Sequence, residues 1–190
     1  MLGSKKEIEI LRSGGIGVIP TDTLYGIVAP VFSQDAVNRI YELKNRDYNK
    51  PFVILLSSID NLGQFKIALD DVIRQKIKGL WPGPVSIILP CPFDEYEYLH
   101  RGRESLAFRV PADDDLIGFL EESGPLVAPS ANPQGEKPII NIKEAKKYFG
   151  KKVDFYIDGG DLEGSPSTLV KFRGQDLEVL RQGNYKIEQR

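Results

Sequence analysis

Cysteine and histidine are almost absent from this chain. Its 190 residues include one cysteine, Cys91, and one histidine, His100. A single thiol forms neither an internal disulfide nor a cage of thiolate ligands, and a single imidazole cannot supply a pair of metal ligands. We therefore expect a reducing compartment and no metal site built from protein side chains.

Long apolar runs and an excess of one charge are also missing. The N-terminal stretch MLGSKKEIEILRSGG lacks the apolar core of a signal peptide or membrane span, so we expect a cytoplasmic protein without membrane contact. Lys and Arg total 25 against 27 Asp and Glu, which gives a net charge of -2. A polyanion site therefore needs a local concentration of cations. The length and the apolar fraction of 41% predict a single globular domain over residues 1–190.

The common nucleotide-binding fingerprints are not present either. The chain has no GxxxxGK(S/T) loop and no GxGxxG that opens a helix. A nucleotide site in this chain would have to use a different arrangement of residues.

Hydrophobic patterning predicts an α/β fold. Short apolar runs alternate with helical patterns in the first part of the chain, and strands dominate its end. Ser4, Ser33 and Asn141 are placed to begin helices, and 59–65 is a further predicted helix. We expect an open, twisted sheet of mixed parallel and antiparallel strands, with helices on its faces and ligands at the strand ends. The predicted strands are 16–19, 52–56, 85–89, 106–110, 126–128, 153–157, 168–172 and 177–180.

The first group of polar residues follows strand 16–19 and reads Pro20-Thr21-Asp22-Thr23-Leu24-Tyr25-Gly26. Thr21 could donate to a carboxylate or phosphate oxygen, and Tyr25 could stack on an adenine ring. A turn in which Asp22 and the threonines bond their own backbone explains the same residues. Taken alone, this segment favours the turn.

The second group is Lys44-Asn45-Arg46 with Lys50, directly before the apolar run 52–56. Arg supplies a planar fork of donors and Lys a compact charge, so these cations suit a triphosphate clamp. They suit capping of a helix C-terminus equally well.

The third group, Pro129-Ser130-Ala131-Asn132-Pro133, follows strand 126–128. Two prolines fix the backbone around Ser130 and Asn132. No histidine stands beside Ser130, so we interpret its hydroxyl as a donor to ligand oxygens and not as a nucleophile. A plain proline-rich loop is the alternative.

Three further polar residues lie at the ends of predicted strands, namely Arg109, Ser167 and Arg181. Apolar residues flank Arg109, and an unpaired charge in such a strand is costly. Arg109 therefore needs an anionic partner, which is either a ligand carboxylate or a carboxylate of the protein.

Taken in order, these segments and the turn Trp81-Pro82-Gly83-Pro84 closely resemble the YrdC-type threonylcarbamoyl-AMP synthases. The resemblance runs from about residue 14 to residue 183 and includes a K-x-R pair, Lys44 and Arg46, and an S-x-N pair, Ser130 and Asn132. It implies an open, twisted α/β sheet around a basic cavity. It also implies that L-threonine, bicarbonate or CO2, and ATP give threonylcarbamoyl-AMP and pyrophosphate. A separate transferase would then use the adenylate to modify an adenosine in tRNA.

The resemblance also implies roles for individual residues. The residues around threonine would be Thr21, Lys50, Arg109, Ala128 and Ser167. The residues that hold the nucleotide would be Tyr25, Lys44, Arg46, Ser130, Asn132 and Arg181. Lys44 and Arg46 would be catalytic because they stabilise charge on the leaving pyrophosphate, together with Mg2+ that arrives on ATP. Gln134 stands where many relatives carry serine.

Two other functions use the same residues. A non-catalytic module could bind tRNA or double-stranded RNA through phosphate contacts to Lys44, Arg46 and Lys50, although the net charge of -2 speaks against it. A related carbamoyl-adenylating enzyme with a different acceptor would carry similar signatures.

Overall fold

The computed structural model describes residues 2–187 of the chain. The helices are α1 (Lys5–Arg12), α2 (Gln34–Lys44), α3 (Asp71–Lys78), α4 (Glu97–His100), α5 (Asp114–Ser123) and α6 (Ile142–Phe149). The strands are β1 (Gly17–Ile19), β2 (Gly26–Pro30), β3 (Val53–Leu55), β4 (Val85–Pro90), β5 (Ser105–Arg109), β6 (Leu126–Val127), β7 (Phe155–Tyr156), β8 (Thr168–Arg173) and β9 (Asp176–Arg181). Sequence patterning does not predict β2 or α4, and the predicted helix 59–65 is a 3₁₀ segment.

The described strands form one sheet in the order β7-β1-β2-β6-β3-β5-β4-β8-β9. Three neighbouring pairs run parallel, namely β1/β7, β3/β5 and β4/β8. The other neighbours run antiparallel. The expected mixed sheet is therefore confirmed.

Alternation along the strands sends apolar side chains to two separate layers. On β2, Ile27 belongs to the larger core cluster, whereas Val28 belongs to a smaller one. The larger cluster takes in side chains of α2, α3 and α6, and the smaller cluster takes in those of α1 and α5. Helices therefore cover both faces of the sheet, as the fold class requires.

Polar caps fix where the helices begin. Ser4 caps α1 and exchanges hydrogen bonds with Glu7, Ser33 accepts from the N–H of Ala36 at the start of α2, and Asn141 caps α6. All three caps are predicted from the sequence, because short polar side chains satisfy the free N–H groups of a first turn. Asn45 ends α2 in a left-handed conformation with φ 46°, which turns the chain directly after Lys44.

Within residues 2–187, the helices are too short or too polar to cross a lipid bilayer.

Candidate functional site

A cavity of about 500 Å³ opens on the sheet along β3, β5 and the start of β8, and we call it the basic cavity. Its cationic lining residues are Arg46, Lys50, Arg103, Arg109 and Arg181. Its uncharged polar lining residues are Thr21, Thr23, Tyr25, Asn49, Ser105, Ser130 and Ser167. Among the residues that the structure describes, no Asp or Glu lines this cavity. Its volume suits a small-molecule ligand, and its charge favours an anionic one.

The turn after β1 uses Thr21 internally. The Thr21 hydroxyl donates to the Leu24 carbonyl over 2.6 Å and accepts from the N–H groups of Thr23 and Leu24 over 3.2 Å each. The interpretation that the threonines bond their own backbone is therefore confirmed for Thr21. The residue also lines the cavity, so the turn holds this hydroxyl at the wall.

Arg109 finds its anionic partner inside the protein. An Arg109 guanidinium nitrogen lies 2.5 Å from the carboxylate of Asp22, and the two side chains are only 5% and 9% exposed. Asp22 also accepts from the N–H of Ala112 over 3.1 Å. Of the two alternatives for Arg109, the protein carboxylate is thus confirmed. Arg109 still lines the cavity, and its Nε is buried without a partner in the described part of the chain.

Lys44 does not face the basic cavity, which corrects the prediction that its ammonium contacts phosphates directly. The side chain is 1% exposed, and Lys44 is not among the lining residues. Its Nζ donates to the backbone carbonyl of Ser130 over 2.5 Å and to that of Asn132. A buried ammonium needs such acceptors, and here both belong to the S-x-N loop. In this geometry Lys44 positions that loop from behind.

Gln134 adds two contacts between the same segments. Its backbone N–H donates to the Lys44 carbonyl over 3.3 Å, and its side-chain oxygen accepts from the N–H of Asp47 over 2.9 Å. The segments 44–47 and 130–134 are therefore joined at several points.

Lys44 carries its charge without a neighbouring carboxylate among the described residues. Burial lowers the pKa of its ammonium from 10.5 to about 7, and the positive charge of Arg46 acts in the same direction. Above that pH the unfolded chain binds this proton more readily than the folded chain does. The free energy of unfolding therefore rises with pH between about 7 and the pKa of an unfolded lysine.

A denaturation series can measure this effect. Relative to Lys44→Met, we expect the free energy of unfolding of the wild-type protein to rise by about 1–3 kcal/mol between pH 7 and pH 9. Urea titrations of both proteins across this range give the difference, because groups common to both cancel. Parallel curves for the two proteins would show that the two carbonyls keep Lys44 charged throughout.

Arg46 and Lys50 both line the basic cavity, as predicted for a clamp. The Arg46 guanidinium donates to the Lys50 carbonyl over 3.1 Å and lies 5.2 Å from the centre of the Phe52 ring. Burial lowers the pKa of Arg46, and the positive charge of Arg181 lowers it further, although Tyr41 and Asp47 oppose this. Lys50 is exposed and lies 3.9 Å from the Asp47 carboxylate. The two residues therefore offer one half-buried and one mobile positive charge to a ligand.

The S-x-N loop divides its residues between the wall and its support. Ser130 and Ala128 line the cavity, whereas Asn132 is buried and donates to the carbonyls of Pro133 and Glu136 over 2.9 and 2.7 Å. Asn132 thus supports the loop, one of the two roles considered for it, and a direct nucleotide contact is not supported. Its side-chain oxygen is buried without a partner in the described region.

Tyr25 lines the cavity but is 1% exposed. Its hydroxyl accepts from the N–H of Gly159 and donates to the carbonyl of Gly160, both over 2.8 Å. The ring therefore fixes the 159–160 segment, and it presents no open face for the predicted stacking of adenine.

The start of β8 brings two predicted residues together. A guanidinium nitrogen of Arg181 donates to the Ser167 carbonyl over 2.9 Å. The Ser167 hydroxyl lies 2.8 Å from that of the buried Ser86, which fixes its position. Both Ser167 and Arg181 line the cavity, as predicted.

Sequence reasoning missed Thr23, Asn49, Arg103 and Ser105 as lining residues. A signal for part of this set is alternation along β5, because Ser105, Ala107 and Arg109 all reach the cavity at every second position. Arg103 continues the same spacing beyond the strand.

Within residues 2–187, no group of three His, Cys, Asp or Glu side chains is placed to hold a metal ion. The basic cavity is in addition lined by cations. A divalent ion would therefore fit this site only with its own anionic ligand.

Comparisons with known proteins agree with this geometry. A protein-family model described as "Telomere recombination", for the Sua5, YciO and YrdC proteins, matches residues 9–183. A threonylcarbamoyl-AMP synthase of Hahella chejuensis is 32% identical over 157 residues, which cover 82% of this chain and 85% of that protein.

Two solved structures share the fold. The crystal structure of P. abyssi Sua5 complexed with L-threonine has a TM-score of 0.86 at 29% identity, and the match covers 94% of this chain and 53% of that chain. The present chain thus spans about half the length of that relative. The crystal structure of E. coli YciO has a TM-score of 0.82 at 27% identity, covering 94% of this chain and 87% of that chain.

Proposed function

Because the chain belongs to the Sua5–YciO–YrdC family, we propose that it is a threonylcarbamoyl-AMP synthase. It joins L-threonine, bicarbonate or CO2, and ATP to give threonylcarbamoyl-AMP and pyrophosphate. The observation that carries this proposal is the basic cavity, which has five cationic residues and no carboxylate among its described lining. A carbamate and a triphosphate repel each other, and such a cavity offsets that repulsion.

Threonine occupies the end of the cavity near Arg109. Thr21, Ser167 and Ala128 lie on the wall there, together with the Asp22-bound guanidinium. Since Asp22 already neutralises much of the Arg109 charge, the threonine carboxylate adds a second anion to a guanidinium that has several donors. Lys50, on its exposed segment, supplies a further positive charge to the same substrate.

The nucleotide extends towards Arg46, Arg181 and Ser130. The threonine amine attacks CO2 and loses a proton to give a carbamate. A carbamate oxygen then forms a bond to the α-phosphorus of ATP while the bond from that phosphorus to the pyrophosphate oxygen breaks. Arg46 and Arg181 stabilise charge on the departing pyrophosphate, and the Ser130 hydroxyl donates to a phosphate oxygen.

No protein group becomes a covalent intermediate in this reaction. Mg2+ bound to the ATP phosphates would add positive charge at the triphosphate, held by phosphate and water oxygens. The product is a reactive mixed anhydride, and a transferase that acts on tRNA would consume it.

The test is a pyrophosphate-release assay with ATP, threonine, bicarbonate and Mg2+. We expect release to require threonine and bicarbonate, with the adenylate identified by mass spectrometry. Serine, valine and alanine in place of threonine measure how strictly the acceptor is selected. Folded protein that releases no threonine-dependent pyrophosphate would overturn the proposal. Salt-sensitive tRNA binding without ATP or threonine would then favour a non-catalytic RNA-binding module.

A further inference from the structure

Arg103 lies on the wall of the basic cavity without an assigned role. Its side chain is exposed at the mouth, and among residues 2–187 no carboxylate oxygen lies within 4.0 Å of its guanidinium. Arg109, by contrast, is paired with Asp22. Arg103 therefore offers the cavity a charge that no described side chain neutralises.

The position of Arg103 is shared with Arg46. Arg103 Nε donates to the Asn49 carbonyl over 3.4 Å, and Arg46 donates to the carbonyls of Lys50 and Pro51 over 3.1 and 3.4 Å. Two guanidinium groups thus bind consecutive carbonyls of one segment. This juxtaposition follows from the parallel pairing of β3 with β5, because the segments that precede parallel neighbours meet at the same edge of the sheet.

The turn that carries Arg103 has an unusual backbone. Arg101, Gly102 and Glu104 have φ values of 51°, 74° and 51°, so two residues with a Cβ adopt the left-handed region. Such conformations are unfavourable and persist where the surrounding structure holds them, often beside ligands. The turn therefore looks built to aim one particular side chain.

Buried side chains hold this turn in place. The His100 ring is 4% exposed, and its Nδ1 accepts from the N–H of Gly102 over 3.2 Å. The Arg101 guanidinium donates to the side-chain oxygen of Asn38 over 2.6 Å and lies 4.5 Å from the centre of the Tyr41 ring. The N–H of Arg103 itself donates to the His100 carbonyl over 2.9 Å. These contacts fix the backbone of Arg103 and leave its guanidinium facing the mouth.

We propose that Arg103 is a further phosphate-binding residue, which contacts the polyphosphate of the nucleotide together with Arg46. This inference rests on the proposed function and deepens it. Arg103 and Arg109 lie beyond and at opposite ends of β5, a strand of about 13 Å. Arg103 is thus remote from the threonine end, and a second planar fork beside Arg46 matches the oxygens of a pyrophosphate group.

The test compares Arg103→Ala and Arg103→Lys with the wild-type protein. Arg103→Ala is expected to raise the KM for ATP about tenfold and to leave the KM for threonine within about twofold, because one charge-assisted contact is lost. Arg103→Lys restores part of the loss, since it keeps the charge without the fork. Arg173→Ala is the matched control, because that arginine is 73% exposed and pairs with Glu178 on β8 and β9.

A second measurement separates this inference from the proposed function. Calorimetric titration with inorganic pyrophosphate reports the anion site without turnover, and Arg103→Ala is expected to weaken that binding about tenfold. If the wild-type protein makes no adenylate but binds pyrophosphate in an Arg103-dependent manner, the phosphate contact stands and the proposed function falls. If adenylate forms and both the KM for ATP and pyrophosphate binding are unchanged in Arg103→Ala, the assignment of Arg103 is overturned. An equal loss in Arg173→Ala would overturn it as well, since the effect would then be one of general charge.

Discussion

Replacing Arg46 by alanine is expected to slow threonine-dependent pyrophosphate release by about 30- to 1,000-fold. This corresponds to about 2–4 kcal/mol of transition-state stabilisation, the usual loss when one preorganised donor to a developing charge is removed. Arg46 is half-buried on the cavity wall beside Arg181, where a charge acts more strongly than it does in water. Steady-state kinetics with ATP and threonine varied separately provide the measurement.

The melting temperature of Arg46→Ala distinguishes catalysis from structure. Within the protein, Arg46 donates only to carbonyls of its own loop, at Lys50 and Pro51, so its removal should leave the melt nearly unchanged. Arg46→Lys keeps the charge and is expected to recover part of the activity. A collapsed melt in Arg46→Ala, or full activity with an intact melt, would contradict the catalytic role.

Asp22→Ala is expected to lower the free energy of unfolding by about 3–5 kcal/mol, because it leaves the buried guanidinium of Arg109 without its counter-ion. For a chain of this size the melting temperature should fall by roughly 10 °C. Differential scanning calorimetry and urea titration provide the two measurements. The N–H of Ala112 loses its acceptor in the same variant, which adds to the cost.

Asp60→Ala is the matched control for that prediction. Asp60 pairs with Arg74 over 3.0 Å, but its side chain is 80% exposed, so its loss should cost less than about 1 kcal/mol. In the double variant Asp22→Ala/Arg109→Met, the cost should be smaller than the sum of the two single costs, because no unpaired buried charge remains. Additive losses, or equal losses in Asp22→Ala and Asp60→Ala, would argue against a buried pair.

Local chemistry predicted most of the elements in this fold. The caps at Ser4, Ser33 and Asn141 act within four residues, so the sequence around them contains the whole interaction. Continuous apolar runs likewise predicted the central strands β3 and β4. Strand β2 was missed, because its residues directly follow a turn segment whose polar residues dominated the interpretation.

Side-chain direction in the site was harder to predict than membership. Arg46, Ser130, Ser167 and Arg181 all reach the basic cavity, as the motifs implied. Lys44 does not, because the left-handed residue that follows it ends α2 and its ammonium finds two backbone carbonyls in a loop 86 residues further along the chain. Such a pairing depends on tertiary packing, and no local pattern reports it. The spacing of Arg103 beyond β5 was readable, but its turn conformation was not.

The hydrogen bonds between residues 44–47 and 130–134 have a consequence for chimeras made with relatives. A graft that brings in serine at position 134 removes the oxygen that accepts from the N–H of Asp47, and a graft of 44–47 alone replaces the ammonium donor to the Ser130 carbonyl. Each segment therefore arrives with half of a mutual fit. Exchanging both segments together is the only transplant that conserves it, and sequence changes in one segment should be accompanied by changes in the other.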